Sequence, residues 1–532
     1  MLWLALHLPR LSLETFCATL AAADGAEAGR AVALIDGHQV VAANAAAAAA
    51  GVQPGMKRAT ALALAPELLL AASDPARDAA ALQAVAHAAL AFTPMVALHD
   101  GATVLLEVQA CLRLFQGLPR LRQRLLAALA PLGHRIHLAA APTPLGAALL
   151  AQWQPGQTAE PGQPGQPGQA GDLVLGEHAT RLPALQRLLS GLPLGYVAPG
   201  REQDLQGLGL ARLGDLLRLP RAGLARRFGE DLLDRIDRAL GRRADPRQPL
   251  EPPARFDARL ELHMRAEHTE PLLAAAGVLL ARLLAWAQAR QSRVAAFTLR
   301  MTHERARGTA PPATELRLAL AEPSLDAAHL RTLLRERLAR CTLAAPTLEL
   351  QLHCHELVQA PPPNGELFPT RASQAEGLAR LLERLRARLG DEQVRRLVAL
   401  ADHRPERATG SVPVQAGAPS GALPASVPSM LLVAGEAVLP LHRPAWLLPD
   451  PLPLAERERQ PLLDGRPLAL LSGPERIETG WWDGEPALRD YFIAAADDGA
   501  LVWVFRSRLP AVPDGPAGAA AAATWFLQGR FG

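Results

Sequence analysis

Between residues 255 and 358 the apolar residues switch period several times, and few folds accept the order in which they do so. Phe256, Ala258, Leu260, Leu262 and Met264 alternate with polar residues, the two-residue repeat of a half-buried strand. A helix-like stretch follows (Pro271 to Arg290), then two strands (Val294 to His303, Glu315 to Leu320), a second helix (Leu325 to Arg340) and a last strand (Thr347 to His355). The order β-α-β-β-α-β is the ferredoxin-like split unit, a four-stranded sheet with both helices on one face. Strand parity sorts its side chains. Leu260, Leu262, Phe297, Leu299, Leu316, Leu318, Leu350 and Leu352 belong under the helices. Arg259, His263, Arg265, Thr298, Arg300, Arg317, Gln351, His353 and His355 form the open face. Basic and amide groups there suit a phosphate backbone. Asp257, Glu261, Glu315 and Glu349 share that face, so a merely solvated sheet is the alternative.

This unit is one part of a 532-residue chain, 49% hydrophobic and 20% charged, long enough for several globular domains. No stretch reads as about twenty uninterrupted apolar residues flanked for membrane insertion. The N-terminus lacks the basic start and cleavage site of a signal peptide. Cys17, Cys111, Cys341 and Cys354 are scattered without CxxC spacing, against a disulfide framework or a zinc site. A reducing cytoplasm is the expected setting. The net charge of +3 sets up no global field that demands nucleic acid. Of 55 basic residues Lys57 is the single lysine, as GC-rich coding would produce, so only the local placement of arginine is informative.

Six regions are expected. Residues 1–180 alternate short apolar strands with helical stretches, an α+β layer domain. It is interrupted at 154–171 by repeated Pro-Gly-Gln, which reads as a flexible surface insertion. Residues 181–250 read as short helices broken at Gly207, Gly209, Gly214 and Pro220, with arginine in excess over acids. The split unit occupies 251–358. A connector and an amphipathic helix (Gln374 to Leu389) fill 359–409, a Pro/Ala/Ser/Gly linker spans 410–430, and 431–532 forms a β-rich tail. Five of the eight tryptophans fall in that tail: Trp446, Trp481, Trp482, Trp503 and Trp525. Such a cluster is either core or a partner surface.

The usual catalytic signatures are missing. There is no GxxxxGK[ST], no convincing GxGxxG after a strand, no HExxH and no GxSxG. In His353-Cys354-His355 a strand would turn the cysteine away from the histidines, which argues against a metal.

Several segments nevertheless resemble a known family, in order and at the right spacing. Leu6-His7-Leu8-Pro9-Arg10 through Glu14 resembles the first palm strand and turn of Y-family translesion DNA polymerases. Gly51 to Met56 and Ala61 to Leu68 resemble the fingers, and Glu107-Val108 through Phe115 the strand that follows the S-x-D-E signature. Ala140 to Gly146 resembles the next loop and helix, and Leu213 to Leu216 with Gly223 to Gly229 the thumb. The resemblance implies palm and fingers, a small helical thumb, the split unit as little finger, and the β-rich tail as an addition.

The departures bear on activity. Nucleotidyl transfer needs about three carboxylates around two Mg²⁺ ions. By the resemblance the first should stand at Leu8 or Pro9 and the Asp-Glu pair at Ala102-Thr103, and none is present. Asp36, Asp100 and Glu107 are the nearby acids a relocated site would need, and an active translesion polymerase built on them is the alternative. A Y-family body without its ligands, followed by Ala401-Asp402-His403-Arg404-Pro405-Glu406-Arg407-Ala408 and Gly480-Trp481-Trp482-Asp483-Gly484, is similar to the inactive homologues of bacterial mutagenesis cassettes.

That resemblance implies a hub with no cofactor and no membrane association, located in the cytoplasm at the nucleoid. It would bind DNA, the β sliding clamp, a RecA-like partner of the same cassette and an error-prone C-family polymerase used in the SOS response. Asn364, Leu367 and Phe368 stand where the clamp peptide should, and a hydrophobic staple of the next helix by Leu367-Phe368 is the alternative. The arginines expected on DNA are Arg218, Arg221, Arg226, Arg227, Arg259, Arg265, Arg300 and Arg317. A scaffold that has lost DNA binding is a further alternative.

Overall fold

The computed structural model describes residues 1–20, 30–153, 173–304, 312–359, 371–414, 443–444, 446–509 and 524–531. The chain forms two compact units, Met1–Arg388 and Leu389–Gly532. The Pro-Gly-Gln insertion, the clamp-peptide candidate Asn364 to Phe368 and the 415–430 part of the linker lie outside the described residues.

The first unit opens with β1 (Trp3–His7) and α1 (Leu11–Leu20). A small fingers-like layer follows: β2 (Val32–Asp36), β3 (Gln39–Ala43), α2 (Ala45–Ala49), α3 (Arg58–Leu64) and β4 (Leu69–Ala72), its sheet ordered β3-β2-β4. Asp74 then caps α4 (Pro75–Leu90), its carboxylate accepting from the Ala76 and Arg77 amides, with Pro75 at the first helical position. The chain continues through β5 (Val96–His99), β6 (Thr103–Glu107), α5 (Leu118–Leu129), β7 (Ile136–Ala141), α6 (Pro144–Gln152) and β8 (Leu173–His178). The palm sheet is ordered β5-β6-β1-β7-β8, with β1 central. Period two sorts its faces. Leu4, Leu6, Val104 and Leu106 pack toward α4 and α5, while Trp3, Ala5, Leu105 and Ala139 pack toward α6 and the helices that follow.

Those thumb helices are α7 (Leu182–Ser190), α8 (Leu194–Val197), α9 (Glu202–Gln206), α10 (Leu213–Leu217), α11 (Arg221–Phe228) and α12 (Glu230–Ala239). Leu224 and Phe228 anchor α11 in the shared core, which leaves Arg226 and Arg227 on its exposed side. Gly229 breaks α11 from α12 at φ +83°, a conformation that disfavours any side chain.

The little finger follows as β9 (Phe256–Ala266), α13 (Thr269–Ala289), β10 (Ser292–His303), β11 (Ala313–Ser324), α14 (Ala327–Ala339) and β12 (Thr347–Gln359). The sheet order is β11-β10-β12-β9, so each β-α-β unit encloses one strand between its own two, and the first and third strands of the unit, β9 and β11, lie at the edges. All eight leucine and phenylalanine side chains assigned beneath the helices pack in its core, and Cys354 joins them. Trp286 is fully buried there and donates from its indole N–H to the Pro253 carbonyl at 2.8 Å. The helix α13 is long and apolar enough to cross a membrane, but it is a core helix, packed on β9, β10 and β12 and against α4. The last helix of this unit is α15 (Arg371–Leu389). Its Glu383 is buried, 2.7 Å from His329 Nε2 on α14.

The second unit contains the hairpin β13 (Arg395–Ala399) and β14 (Thr409–Pro413). Its main sheet has the order β17-β16-β15-β21-β20-β19-β18. The strands are β15 (Trp446–Arg457), β16 (Gln460–Leu463), β17 (Arg466–Pro467), β18 (Ala469–Thr479), β19 (Ala487–Ala495), β20 (Leu501–Ser507) and β21 (Trp525–Arg530). The Ala401 to Ala408 run, set in the connector by its sequence position, belongs to this unit because its arginines pair there.

Candidate functional site

The end of the palm sheet is where a Y-family enzyme would hold its metal ions. Pairing places His7 opposite Thr103 on β6 and opposite His137 on β7. His7 Nδ1 lies 3.0 Å from the Thr103 hydroxyl, and the two imidazole rings are 6.1 Å apart. Leu8 points the other way, into the core with Leu6, and Pro9 lies exposed beyond the strand. The residue sharing a face with Thr103 is therefore His7, one position before the two that the family spacing indicates. Register across β1 and β6 decides this, and neither strand's sequence carries it.

Burial, with the neighbouring His137 second, pushes the His7 imidazole down to about 4. Burial also lowers His137, with Arg135 adding to it. Both rings are neutral at physiological pH. Asp100, in the tight turn before β6, has Oδ2 2.8 Å from His99 Nε2 and 3.4 Å from Gln152 Nε2. The contact with His99 is the main cause of its lowered pKa. Arg247 Nη1 donates to His99 Nδ1 at 3.1 Å, which leaves Nε2 to carry the proton facing Asp100.

The acids a relocated site would use are not brought together. Glu107 lies at the far end of β6, about 13 Å along the strand from Thr103 at 3.3 Å per residue, where it accepts from the Leu2 and Gln109 amides. Asp36 is exposed on the fingers sheet. Among the described residues no group of three His, Cys, Asp or Glu side chains could hold a metal ion. Two neutral imidazoles, a hydroxyl and one engaged carboxylate do not fit a pair of hard, oxygen-preferring Mg²⁺ ions.

The open face of the little finger is built of cross-strand rows. Arg259, Gln351, Arg300 and Glu315 form one, and Asp257, His353, Thr298 and Arg317 the next. Most of its basic groups have acidic neighbours. Arg317 is 2.7 Å from Glu356, Arg300 is 3.9 Å from Glu315, and Arg265 lies between Glu267 and Glu304. In the thumb, Arg221 makes a two-pronged pair with Asp237, and Arg218 is 3.8 Å from Asp215. Among the described residues Arg226, Arg227 and Arg259 have no carboxylate partner, so of the eight arginines they are the readiest for phosphate.

In the second unit two motifs about eighty residues apart meet around one buried side chain, a feature that sequence reading missed. The Arg404 guanidinium, 3% exposed, donates to Asp402, to Asp483 and to the Glu485 carbonyl. Arg407 pairs with Asp483 and Glu485, and Arg489 with Glu406. The hydrogen bonds from Arg404 hold the Asp402 carboxyl down at about 2. Gly480 is required here, since a Cβ would meet the Glu485 carbonyl oxygen at 2.2 Å and Arg404 Nη1 at 2.9 Å. The clasp presents Trp481 (80% exposed) and Trp482 (55%) to solvent, their rings edge-to-face at 5.4 Å. Trp503 and Trp525 are buried, and Trp503 stacks on Tyr491 at 4.1 Å. The tail tryptophans are thus divided between core and surface.

Comparison with known proteins completes the assignment. The family model described as impB/mucB/samB matches residues 13–152. Protein ImuB of two strains of Caulobacter vibrioides is 30% identical over 495 residues, covering 91% of this chain and 100% of the relative. This chain belongs to the ImuB family. Among solved structures, an insertion ternary complex of Dbh DNA polymerase is 16% identical with a TM-score of 0.37. DinB from Sulfolobus solfataricus is 16% identical with a TM-score of 0.34. Each match covers 66% of this chain and 98% of the other. As an ImuB-family member the chain has a polymerase-like body, and its described palm end carries two imidazoles, a hydroxyl and the single carboxylate of Asp100, held by His99.

Proposed function

We propose that this ImuB-family chain is a non-catalytic polymerase homologue. It binds DNA and the β sliding clamp, and recruits an error-prone C-family polymerase for translesion synthesis during SOS-induced mutagenesis. The observation that carries the reading is the palm end, where His7 faces Thr103 and Leu8 is core. Transfer of a nucleotide needs charge neutralised at the triphosphate and the 3′-hydroxyl activated; uncharged imidazoles set no positive charge against the triphosphate, and a ring as weakly basic as that of His7 is a poor base for the hydroxyl. With chemistry delegated, what this chain contributes is placement: thumb and little finger hold the duplex through phosphate contacts, which position without reading sequence.

The clamp peptide in this proposal is Asn364 to Phe368, with Leu367 and Phe368 as hydrophobic anchors. Its degenerate form implies weak clamp affinity, raised by simultaneous DNA and protein contacts. The Trp481-Trp482 surface is the proposed seat for a protein partner, either the RecA-like ImuA or the C-family polymerase, since exposed paired tryptophans are the residue type that dominates binding energy. The protein is proposed to work in the cytoplasm at the nucleoid.

The test is primer extension by purified protein on primed template with Mg²⁺ or Mn²⁺, alongside a salt-dependent gel shift. Retained DNA binding without extension is the expected result. Extension that is lost on substituting Asp100 or Glu107 would establish the active-polymerase alternative, and absence of any DNA shift would establish the scaffold that has lost DNA binding.

A further inference from the structure

Where the little finger docks on the palm, α4 and the edge strand β9 leave a cleft of about 570 Å³, within the usual size of small-molecule sites. Two of its lining groups are deeply buried and unpartnered. Arg282 on α13 is 6% exposed and His87 on α4 is 7% exposed. Among the described residues neither makes a side-chain hydrogen bond or ion pair. A guanidinium shielded this far from bulk solvent without a counter-charge is costly. It is retained more cheaply where an anion can reach it. Burial also holds His87 neutral, its pKa lowered to about 4, so its ring offers one N–H rather than a second fixed charge.

The rest of the lining agrees. Arg77, Arg255 and Arg259 surround the cleft, and the free edge of β9 runs along it with unpaired backbone groups. Four carboxylates also line it. Asp74 is occupied as the α4 cap, and Asp257 accepts from Gln351 at 2.9 Å with His353 at 3.4 Å. Glu261 and Glu349 face each other across β9 and β12, and Glu261 is exposed. The acids are thus engaged or nearer the surface, while the most deeply buried groups are a cation and a neutral donor. Ala76, Ala80 and Ala84 leave the α4 wall without bulk, which keeps Arg282 reachable.

We propose that this cleft binds a phosphate-bearing ligand whose phosphoryl oxygens pair with Arg282 and accept a hydrogen bond from His87. The phosphate comes from a free nucleotide or from the 5′-phosphate of a DNA strand, and the same chemistry serves both.

The test uses the full chain without divalent metal and follows melting temperature and calorimetric binding. The probes are inorganic phosphate, dATP, and a 12-mer with or without a 5′-phosphate, against chloride at matched ionic strength. At least one phosphate probe should stabilise the protein, with binding weakened tenfold or more in Arg282→Met and several-fold in His87→Leu. Arg282→Met without ligand should melt no lower than the parent. A preference for dATP assigns a nucleotide, and a preference for the 5′-phosphorylated strand assigns a DNA end. No binding of any phosphate probe at millimolar concentration overturns the proposal, as does unchanged affinity in folded Arg282→Met. Should Arg282→Met fail to fold, folded His87→Leu with unchanged affinity overturns it equally. None of these readouts depends on polymerase activity or on the clamp.

Discussion

Arg404 and Arg282 are buried to nearly the same degree, and the molecule uses them in opposite ways. Around Arg404 two carboxylates and a carbonyl meet the guanidinium, so its charge is compensated and the side chain ties two distant loops together. Around Arg282 the described residues offer neither hydrogen bond nor counter-ion, and the side chain lines a cleft. Burial alone therefore does not distinguish architecture from a site. The partner inventory does, because the desolvation cost is offset in one place and left outstanding in the other.

The contrast is broken most severely at Arg404. Arg404→Met strands the Asp402 carboxylate and leaves Asp483 with Arg407 alone, and the second unit should lose its cooperative near-UV circular dichroism transition, which reports the Tyr491–Trp503 stack. Arg404→Lys should rescue poorly, since a point charge cannot pair two-pronged with both acids. A second unit that keeps its transition in both variants would remove the clasp from the list of structural elements.

Acid separates the two regions next. His7 and His87 have folded pKa values near 4 against about 6.5 when unfolded. Between those values the unfolded chain binds more protons, so stability rises with pH through this window and is complete above about 6.5. As pH falls from 6.5 to 4 each histidine should cost the first unit up to about 3 kcal/mol. Asp402 has the same sense in a lower window. Its depressed pKa contributes stability above the ordinary carboxylate value that is lost only as pH falls toward 2. Hydrogen exchange at pH 4.5 and 7.5 should show the first unit loosening while the clasp stays protected.

Partner inventory should also rank the DNA contacts. Replacing Arg226 and Arg227 together by alanine should reduce the logarithmic salt slope of DNA binding by roughly 2, one phosphate contact for each. Arg221→Ala should do less, because Asp237 already holds that guanidinium. Equal effects per arginine would mean that DNA opens the surface pairs freely, as their small worth allows. The smallest effect expected is that of Arg282→Met on the unliganded protein, neutral or slightly stabilising in a thermal melt.

Much of the little finger was legible in the sequence. Parity placed Leu260, Phe297, Leu318 and Leu350 under the helices of the little finger, and they pack there. That Ala102-Thr103 stand where the Y-family resemblance expects an Asp-Glu pair could also be read. What could not be read was which groups would meet. His7 comes opposite Thr103 only through the register of β1 against β6, and a shift of one residue would have turned Leu8 there instead. Arg404 and Asp483 resemble any exposed pair in a charged loop until two hairpins fold together.

The sequence by itself determined the order of strands and helices in the little finger and the buried face of its strands. These follow from repeat period and residue type, which act over a few residues along one element. Only the tertiary structure decided that one buried arginine is clasped by acids and another lines a cleft without them. Charge compensation depends on what other elements bring within about 3 Å, and the periodicity of a single helix or loop carries no record of that.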